Sequence, residues 1–312
     1  MTSGPRVVVL GGINMDLVAR SDRFPRPGET IQARSIETTP GGKGANQAIA
    51  AARALGGTGA VAMVGRVGDD LYGSQLCAYM EASGVDASRV GVEKETASGL
   101  AIIAVDGNGE NTVTAAYGAN SMVDGSEVLR LGDLLDDAEW LLVQLETPME
   151  ATVFAMHTAR DAGVQVLLDP APARPMPEGF PGLASILTPN QTEAEALSGV
   201  TVTDVASASR AARRIREQYG VETVIVTLGE MGALVLGPEG EFHTPAFPVT
   251  AVATVGAGDS FNGALAAALV EGMALEEAVR FASAAAAVCV TREGAAASMP
   301  ERGAILAMLA GG

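Results

Sequence analysis

Short apolar runs alternate along the chain with longer stretches whose apolar residues recur every three or four positions, the pattern of strands alternating with helices. Val7 to Leu10 is unbroken apolar sequence closed by Gly11-Gly12, which predicts a buried strand over 6–10 and a tight turn. Beyond Gly44, the residues Ala45, Ala48, Ile49, Ala52 and Leu55 fall on one helical face. A strand over 60–64, a turn over 65–70 and a helix to about 83 come next. Residues 99–105 and 111–116 read as strands joined by Asp106-Gly107-Asn108-Gly109-Glu110, a hairpin turn. From 125 the alternation resumes, with helices over 125–135, 148–162, 205–219 and 275–289. The strands between them fall at 140–145, 164–168, 186–187, 223–228 and 233–236. One helix opens at Asn190, another near Asp259 and a last one near 301.

This order predicts an α/β fold, a three-layer α/β/α arrangement around a mostly parallel central sheet, in one domain over 1–312. The hairpin breaks the alternation. With the segment near 30–39 it predicts a small β-sheet lid, built from insertions at about 13–40 and 97–119. A small sheet of this kind exposes an apolar face, which invites a second copy and predicts a homodimer.

Composition and charge narrow the function classes. Hydrophobic residues make up 48% of the 312, enough for a large core. Net charge is −17 and no basic stripe is visible, which argues against nucleic acid and anionic membrane surfaces. No apolar run reaches membrane-spanning length and no leader is visible, so a soluble, cytoplasmic protein is expected. Cys77 and Cys289 lie in apolar helical patterns and read as free thiols. An acidic chain that binds an anionic ligand must make a local positive site from helix N-termini, a few basic residues and bound cations.

The stretch Thr254 to Gly263 supplies one. Gly256, Ala257 and Gly258 precede an apolar helix face made by Phe261, Ala264, Leu265, Ala268 and Leu269. Backbone amides at such a start are unpaired and favour phosphate. Asp259 sits in the same turn, where a carboxylate suits a general base for a hydroxyl attacking a phosphoryl group. The plainer alternative is a Gly-rich turn with an acidic N-cap. A second Gly-rich helix start, Pro40 to Asn46, lacks the spacing of a phosphate loop and reads as a polyol or phosphate contact carrying Lys43 and Asn46, or as a plain cap with a solvated lysine. Asn14 and Asp16 either hydrogen-bond vicinal hydroxyls or make an Asx turn. Asn190 and Glu193 fit a capping box and, functionally, a hold on Mg²⁺-bound water and phosphate. Glu146 and Asp169 end strands at the ligand edge, and the turn 229–232 offers backbone to a nucleotide.

Together, Gly41-Gly42-Lys43-Gly44-Ala45-Asn46 and Val255-Gly256-Ala257-Gly258-Asp259-Ser260-Phe261 resemble the two signatures of the ribokinase-like (PfkB) carbohydrate kinase family. The resemblance spans nearly the whole chain and includes Gly12 to Asp16, Gln144 to Glu146, Asp169 to Arg174 and Thr188 to Asn190. It implies an ATP-dependent sugar kinase, with ribose the first expected acceptor through its 5-hydroxyl. Asp259 would be the base and the amides of Gly256, Ala257 and Gly258 the anion hole. Asn14, Met15, Asp16, Gly42, Lys43, Gly44, Ala45, Asn46 and Glu146 would hold the sugar. Asn190, Thr227, Leu228, Gly229, Glu230, Met231, Gly232, Gly258 and Ser283 would hold ATP, with Glu193 near Mg²⁺. A monovalent cation, usually K⁺ in the family, would sit at Val255, Cys289, Arg292, Gly294 and Ser298, and dimers would form through the lid sheet.

Three positions depart from the family pattern. Ala253 replaces an acid expected at the monovalent site, removing its charge compensation. Ser283 stands where an imidazole often meets the adenine. Asp169 replaces an amide, and an ionised acid accepts hydrogen bonds but donates none. Within the same chemistry the acceptor alternatives are deoxyribose, fructose or a nucleoside such as adenosine. A catalytically weak sugar- or nucleotide-binding regulator is the reading from another class. Ala253 favours it, whereas Asp259 and the intact glycine turn oppose it.

Overall fold

The computed structural model describes residues 4–57 and 59–311. A nine-stranded sheet forms its middle. Its strands run in the order Gly240–Thr244, Ala233–Gly237, Thr223–Thr227, Ile186–Leu187, Gln165–Leu168, Trp140–Val143, Val7–Leu10, Val61–Gly68 and Val85–Glu93. Neighbours are parallel from Thr223–Thr227 to Val85–Glu93, and the two strands at the other edge are antiparallel.

Alternation of side chains along the strands explains the three layers. Val7 and Val9 enter one apolar cluster and Val8 and Leu10 the other, all four fully buried. A strand covered on both faces must be continuously apolar. The first cluster is completed by helices Lys43–Leu55, Leu71–Ala82, Ala257–Val270 and Leu275–Val290. The second is completed by Gly125–Gly132, Met149–Asp161, Gln191–Ser198 and Val205–Tyr219.

A second sheet of four strands has the order Ser35–Gly41, Asn14–Arg20, Gly99–Val105, Asn111–Ala116. These strands lie where the lid insertions are expected. Register places Leu17 beside Ile102 and Ala19 beside Ile36, so these side chains share one face. Ile36 is 63% and Ile102 47% exposed, which leaves that face apolar and open.

Several expectations need correction. The turn expected at 65–70 is mostly strand: Val61–Gly68 runs on to pair with Val85–Glu93, and Asp70 caps the next helix by accepting from the Gly73 amide. The edge strands Val85–Glu93 and Gly240–Thr244 do not show in the hydrophobic pattern. Asn14 and Asp16 make no Asx turn; they lie in the strand Asn14–Arg20 of the second sheet.

The helices Lys43–Leu55 and Ala257–Val270 are pressed together along small residues. A Cβ on Gly263 would collide with the Gln47 carbonyl and lie 2.6 Å from the Ala50 Cβ. This contact sets the distance between the two helix N-termini. Gly263→Val is expected to cost about 3 kcal/mol by overpacking, and to lower kcat as well, because it wedges apart the groups carried on the two helices. A thermal melt and a turnover assay on the same preparation check both effects.

Candidate active site

The carboxyl ends of the central strands gather the polar groups, as expected for an open α/β sheet. Two helix starts converge there. Gly42, with φ 89°, opens the helix Lys43–Leu55, and Gly44 lets that helix touch the turn after the first strand, since a Cβ on Gly44 would lie 2.7 Å from the Gly11 carbonyl carbon. Gly256, with φ 81°, opens the helix Ala257–Val270 in the left-handed region that glycine tolerates. No side chain caps this second helix; the Ala257 amide makes a long bond of 3.3 Å to the Thr254 carbonyl, and the Gly258 amide is left for an anion.

Asp259 lies in that turn, 6% exposed. Its Oδ2 accepts from Asn46 Nδ2 at 2.9 Å and its Oδ1 from Gln47 Nε2 at 3.1 Å. Burial raises the Asp259 pKa, while the Lys43 ammonium and the two amides pull it down. The plain N-cap alternative does not describe this residue, because its oxygens face the other helix. Gln47 Nε2 also donates to Asp169 Oδ2 at 2.8 Å, and Gln144 Nε2 donates to Gln47 Oε1 at 2.6 Å.

Around this centre lies a cavity of about 190 Å³, lined in part by Lys43, Asp169, Asn190, Glu193, Gly256 and Asp259. It adjoins a larger cavity of about 710 Å³ bounded by Gly229, Glu230, Gly232, Phe247, Ala257 and Ser283. Thr227, Thr254 and Gly258 border both. Lys43 is the cation among these acids. Burial lowers its pKa, but the carboxylates of Asp259, Asp169, Glu146 and Glu193 outweigh burial and raise it, so it stays an ammonium.

The sugar-side residues form a neighbouring polar group. Asn14 and Asp16 are buried and point to one face of their strand. Asn14 Oδ1 accepts from Asn120 Nδ2 at 2.8 Å, and Asn120 Oδ1 accepts from the Ile13 amide at 2.9 Å. Glu146 Oε2 accepts from the Lys43 amide at 2.9 Å, and its pKa is raised by burial. Asp16 is pushed up to about 7 by burial, then by the charges of Glu146 and Asp259. Three glycines make room: side chains at Gly12, Gly41 or Gly99 would collide with Glu146, Asp16 and Asn14 respectively.

Met15 and Ala45 belong to the apolar core. Leu228 is buried in the opposite cluster and Met231 packs against it, so the turn 229–232 meets the larger cavity through Gly229, Glu230 and Gly232. Asn190 and Thr227 are adjacent through a parallel bridge. Asn190 and Glu193 make a full capping box, and both still line the smaller cavity. Ser283 lines the larger cavity while its hydroxyl donates to the Val279 carbonyl at 2.8 Å. Asn120, Gln47 and Asn262 are polar groups at the site that the motifs do not single out, and Gln144, within a resembling stretch, has no role implied by it. Asn262 lies three residues after Asp259, on the same helix face, which is the signal that would find it.

The metal positions differ in fit. No cluster of three or more metal-ligating side chains occurs among the described residues. Mg²⁺ suits such a place, because it keeps its waters and takes one or two carboxylates plus phosphate oxygens. Glu193 offers that carboxylate. Two of the monovalent positions, Cys289 and Ser298, are already engaged. The Cys289 carbonyl accepts from the Arg292 amide at 3.1 Å. Ser298 Oγ donates to the Ala295 carbonyl at 2.7 Å and lies 3.1 Å from Cys289 Sγ. Ala253 supplies no carboxylate, so this donor set does not fit a charge-compensated cation.

Comparison with known proteins shows the family and the fold. Residues 5–302 match the family model described as pfkB family carbohydrate kinase. The chain is 40% identical over 296 residues to the ribokinase of Haemophilus influenzae, covering 95% of each. It is 36% identical over 295 residues to the deoxyribokinase of Salmonella typhi, covering 94% of this chain and 95% of that one. The fold matches the structure of Arabidopsis thaliana ribokinase complexed with ribose and ATP, with a TM-score of 0.89 at 32% identity, over 98% of this chain and 99% of the other. Among the described residues no helix is long and apolar enough to cross a membrane.

Proposed function

The chain belongs to the pfkB family of carbohydrate kinases, phosphotransferases with an alcohol acceptor, and on that premise we propose that it transfers the γ-phosphoryl group of ATP to the 5-hydroxyl of D-ribose. The observation that carries this reading is the place of Asp259: at an uncapped helix N-terminus, beside the glycine turn shared by the two cavities. ATP occupies the larger cavity, against the turn 229–232 and Ser283, with its phosphates reaching Gly258. The sugar lies against Asn14, Asp16, Asn46 and Glu146.

Asp259 takes the proton from the acceptor hydroxyl as its oxygen attacks phosphorus in line and ADP leaves. The amides of Gly256, Ala257 and Gly258 hold the charge on the transferring group, and the Lys43 ammonium adds to them. Bound Mg²⁺, with Glu193 beside it, supplies neutralisation of the phosphate charge. Asn46 Oδ1 and Asn262 Oδ1 are buried without a hydrogen-bond partner, as expected of groups that await a ligand.

Ribose is favoured over deoxyribose by Asp16. An acceptor without the 2-hydroxyl leaves that buried carboxylate short of a donor, which a site built for hydrogen bonding rejects. A second copy of the chain covers the apolar face of Leu17, Ile36 and Ile102 in the homodimer we infer.

The test is ADP release from ATP and Mg²⁺ with ribose, deoxyribose, fructose and adenosine, each with Na⁺ or K⁺. Ribose is expected to turn over fastest, with rates in the two salts within about twofold because position 253 carries no acid. Faster turnover of deoxyribose overturns the acceptor, and strong K⁺ activation overturns the account of Ala253. Absence of turnover with every acceptor, despite binding, leaves the regulator.

A further inference from the structure

We propose that Gln47 is a positioning residue for phosphoryl transfer, holding Asp259 in its reactive orientation through an amide whose own direction is locked by Gln144 and Asp169. The inference rests on Asp259 acting as the base. Gln47 is fully buried, one turn into its helix, and both polar atoms of its side chain are engaged. Both N–H bonds of Nε2 are used, one toward Asp259 Oδ1 at 3.1 Å and one toward Asp169 Oδ2 at 2.8 Å. Its Oε1 accepts from Gln144 Nε2 at 2.6 Å.

The direction of this amide is forced from both ends. Two carboxyl groups face it on one side, and only the NH₂ end can donate to both. Gln144 presents NH₂ on the other side, which only a carbonyl can accept. A flipped Gln47 would lose its hydrogen bonds to Asp259 and Gln144, since an ionised Asp259 has no proton to donate and two amide NH₂ groups cannot pair. The arrangement leaves Gln144 Oε1 buried without a partner. The orphan is the consequence of aiming Gln144 at Gln47.

Asn46 holds the other oxygen of Asp259, so the carboxylate is fixed at two points and its remaining lone pairs face the cavity. Asn46 also has a free Oδ1 for a ligand, which makes its loss a binding defect as well as an orientation defect. Gln47 has no such spare group. Removing it frees the carboxylate to rotate and leaves the substrate contacts in place. The expected signature is a fall in kcat with KM unchanged.

The test is a kinetic comparison of Gln47→Met, Gln144→Met, the double variant and Asp259→Ala in the intact enzyme. Gln47→Met, close in volume and without polar atoms, is expected to lower kcat about 10- to 100-fold, with KM for sugar and ATP within about threefold. Gln144 makes no hydrogen bond to Asp259, so the effect of Gln144→Met on Asp259 passes through Gln47. We expect it to lower kcat about three- to tenfold, and the double variant to be no slower than Gln47→Met alone. An unchanged kcat in Gln47→Met, or losses that multiply in the double variant, overturns the proposal. If Gln47→Met does not fold, an unchanged kcat in Gln144→Met overturns it equally. Full turnover in Asp259→Ala would instead overturn the base on which the inference stands.

Discussion

Asp259→Ala is expected to lower kcat by about 10³-fold while calorimetry still detects sugar and nucleotide binding. The magnitude is that of a general base removed from a proton transfer in the transition state. Binding survives because the sugar contacts are spread over Asn14, Asp16, Asn46 and Glu146, and the nucleotide contacts lie across the other cavity. The variant loses two hydrogen bonds from buried amides, which costs stability, but it also removes a carboxylate whose pKa is raised by burial. These effects oppose each other, so the melting temperature is expected to move little and the kinetic loss is not a folding defect. A variant that keeps its turnover would show that Asp259 is not the base; a variant that binds neither ligand would show that it is chiefly a binding residue.

The second large effect is on stability, at the position where the family pattern has an amide. Asp169 is fully buried against Gln47, and its pKa is pushed up to about 8, first by burial and then by Glu193 and Asp259 against the pull of Lys43 and Gln47. An unfolded Asp169 would ionise near 3.8. Between these values the folded chain holds a proton that the unfolded chain has released. Stability linked to this group is therefore complete below the lower pKa and falls by about 1.4 kcal/mol per pH unit until the upper one. Asp16, pushed up to about 7, adds a slope of the same sign over a narrower range.

Asp169→Asn removes the larger contribution while keeping an oxygen that Gln47 can donate to. At pH 7.5 we expect the variant to be more stable by about 5 kcal/mol, a rise of roughly 8 °C, with a flatter dependence of melting temperature on pH from 5.5 to 8. Melting curves of both proteins without ligands across that range check it. Equal slopes would mean that Asp169 is already ionised in the folded chain and held by Lys43.

Much of this was legible in the sequence because the signals were local. The strand Val7–Leu10 announces itself by four consecutive apolar residues, and the two glycine-rich helix starts name their own ligand chemistry. Val85–Glu93 and Gly240–Thr244 escape because edge strands need no continuous apolar pattern; their sequences mix Asp, Ser, Arg, Glu and His with the apolar positions. The extension of Val61–Gly68 through Gly65 is hidden for a related reason, since two glycines and an arginine read as a turn until a partner strand pairs with them. The amide network is the part no local rule could reach. Gln47, Gln144, Asp169 and Asp259 lie on two helices and the ends of two strands. A polar residue inside an alanine-rich helix face becomes informative only when its neighbours across the interface are known. Asn120 is the same case, reaching the turn at Ile13 from more than 100 residues away.

The packing of Gly263 against Ala50 and Ala51 has a consequence for how this enzyme can change. Asp259, the base we propose, and the Asn46 and Gln47 amides that hold it ride on one pair of helices, locked at a contact where no single residue can enlarge alone. Asn14 and Asp16, which we place against the acceptor, ride on a separate sheet, tied to the body through Gly11 and Gly12. Acceptor preference can thus drift, or be redesigned, by substitution along Asn14–Arg20 and its neighbours while the transfer machinery stays untouched. Relatives acting on ribose and on deoxyribose, 40% and 36% identical to this chain, are the outcome expected of such a division of labour.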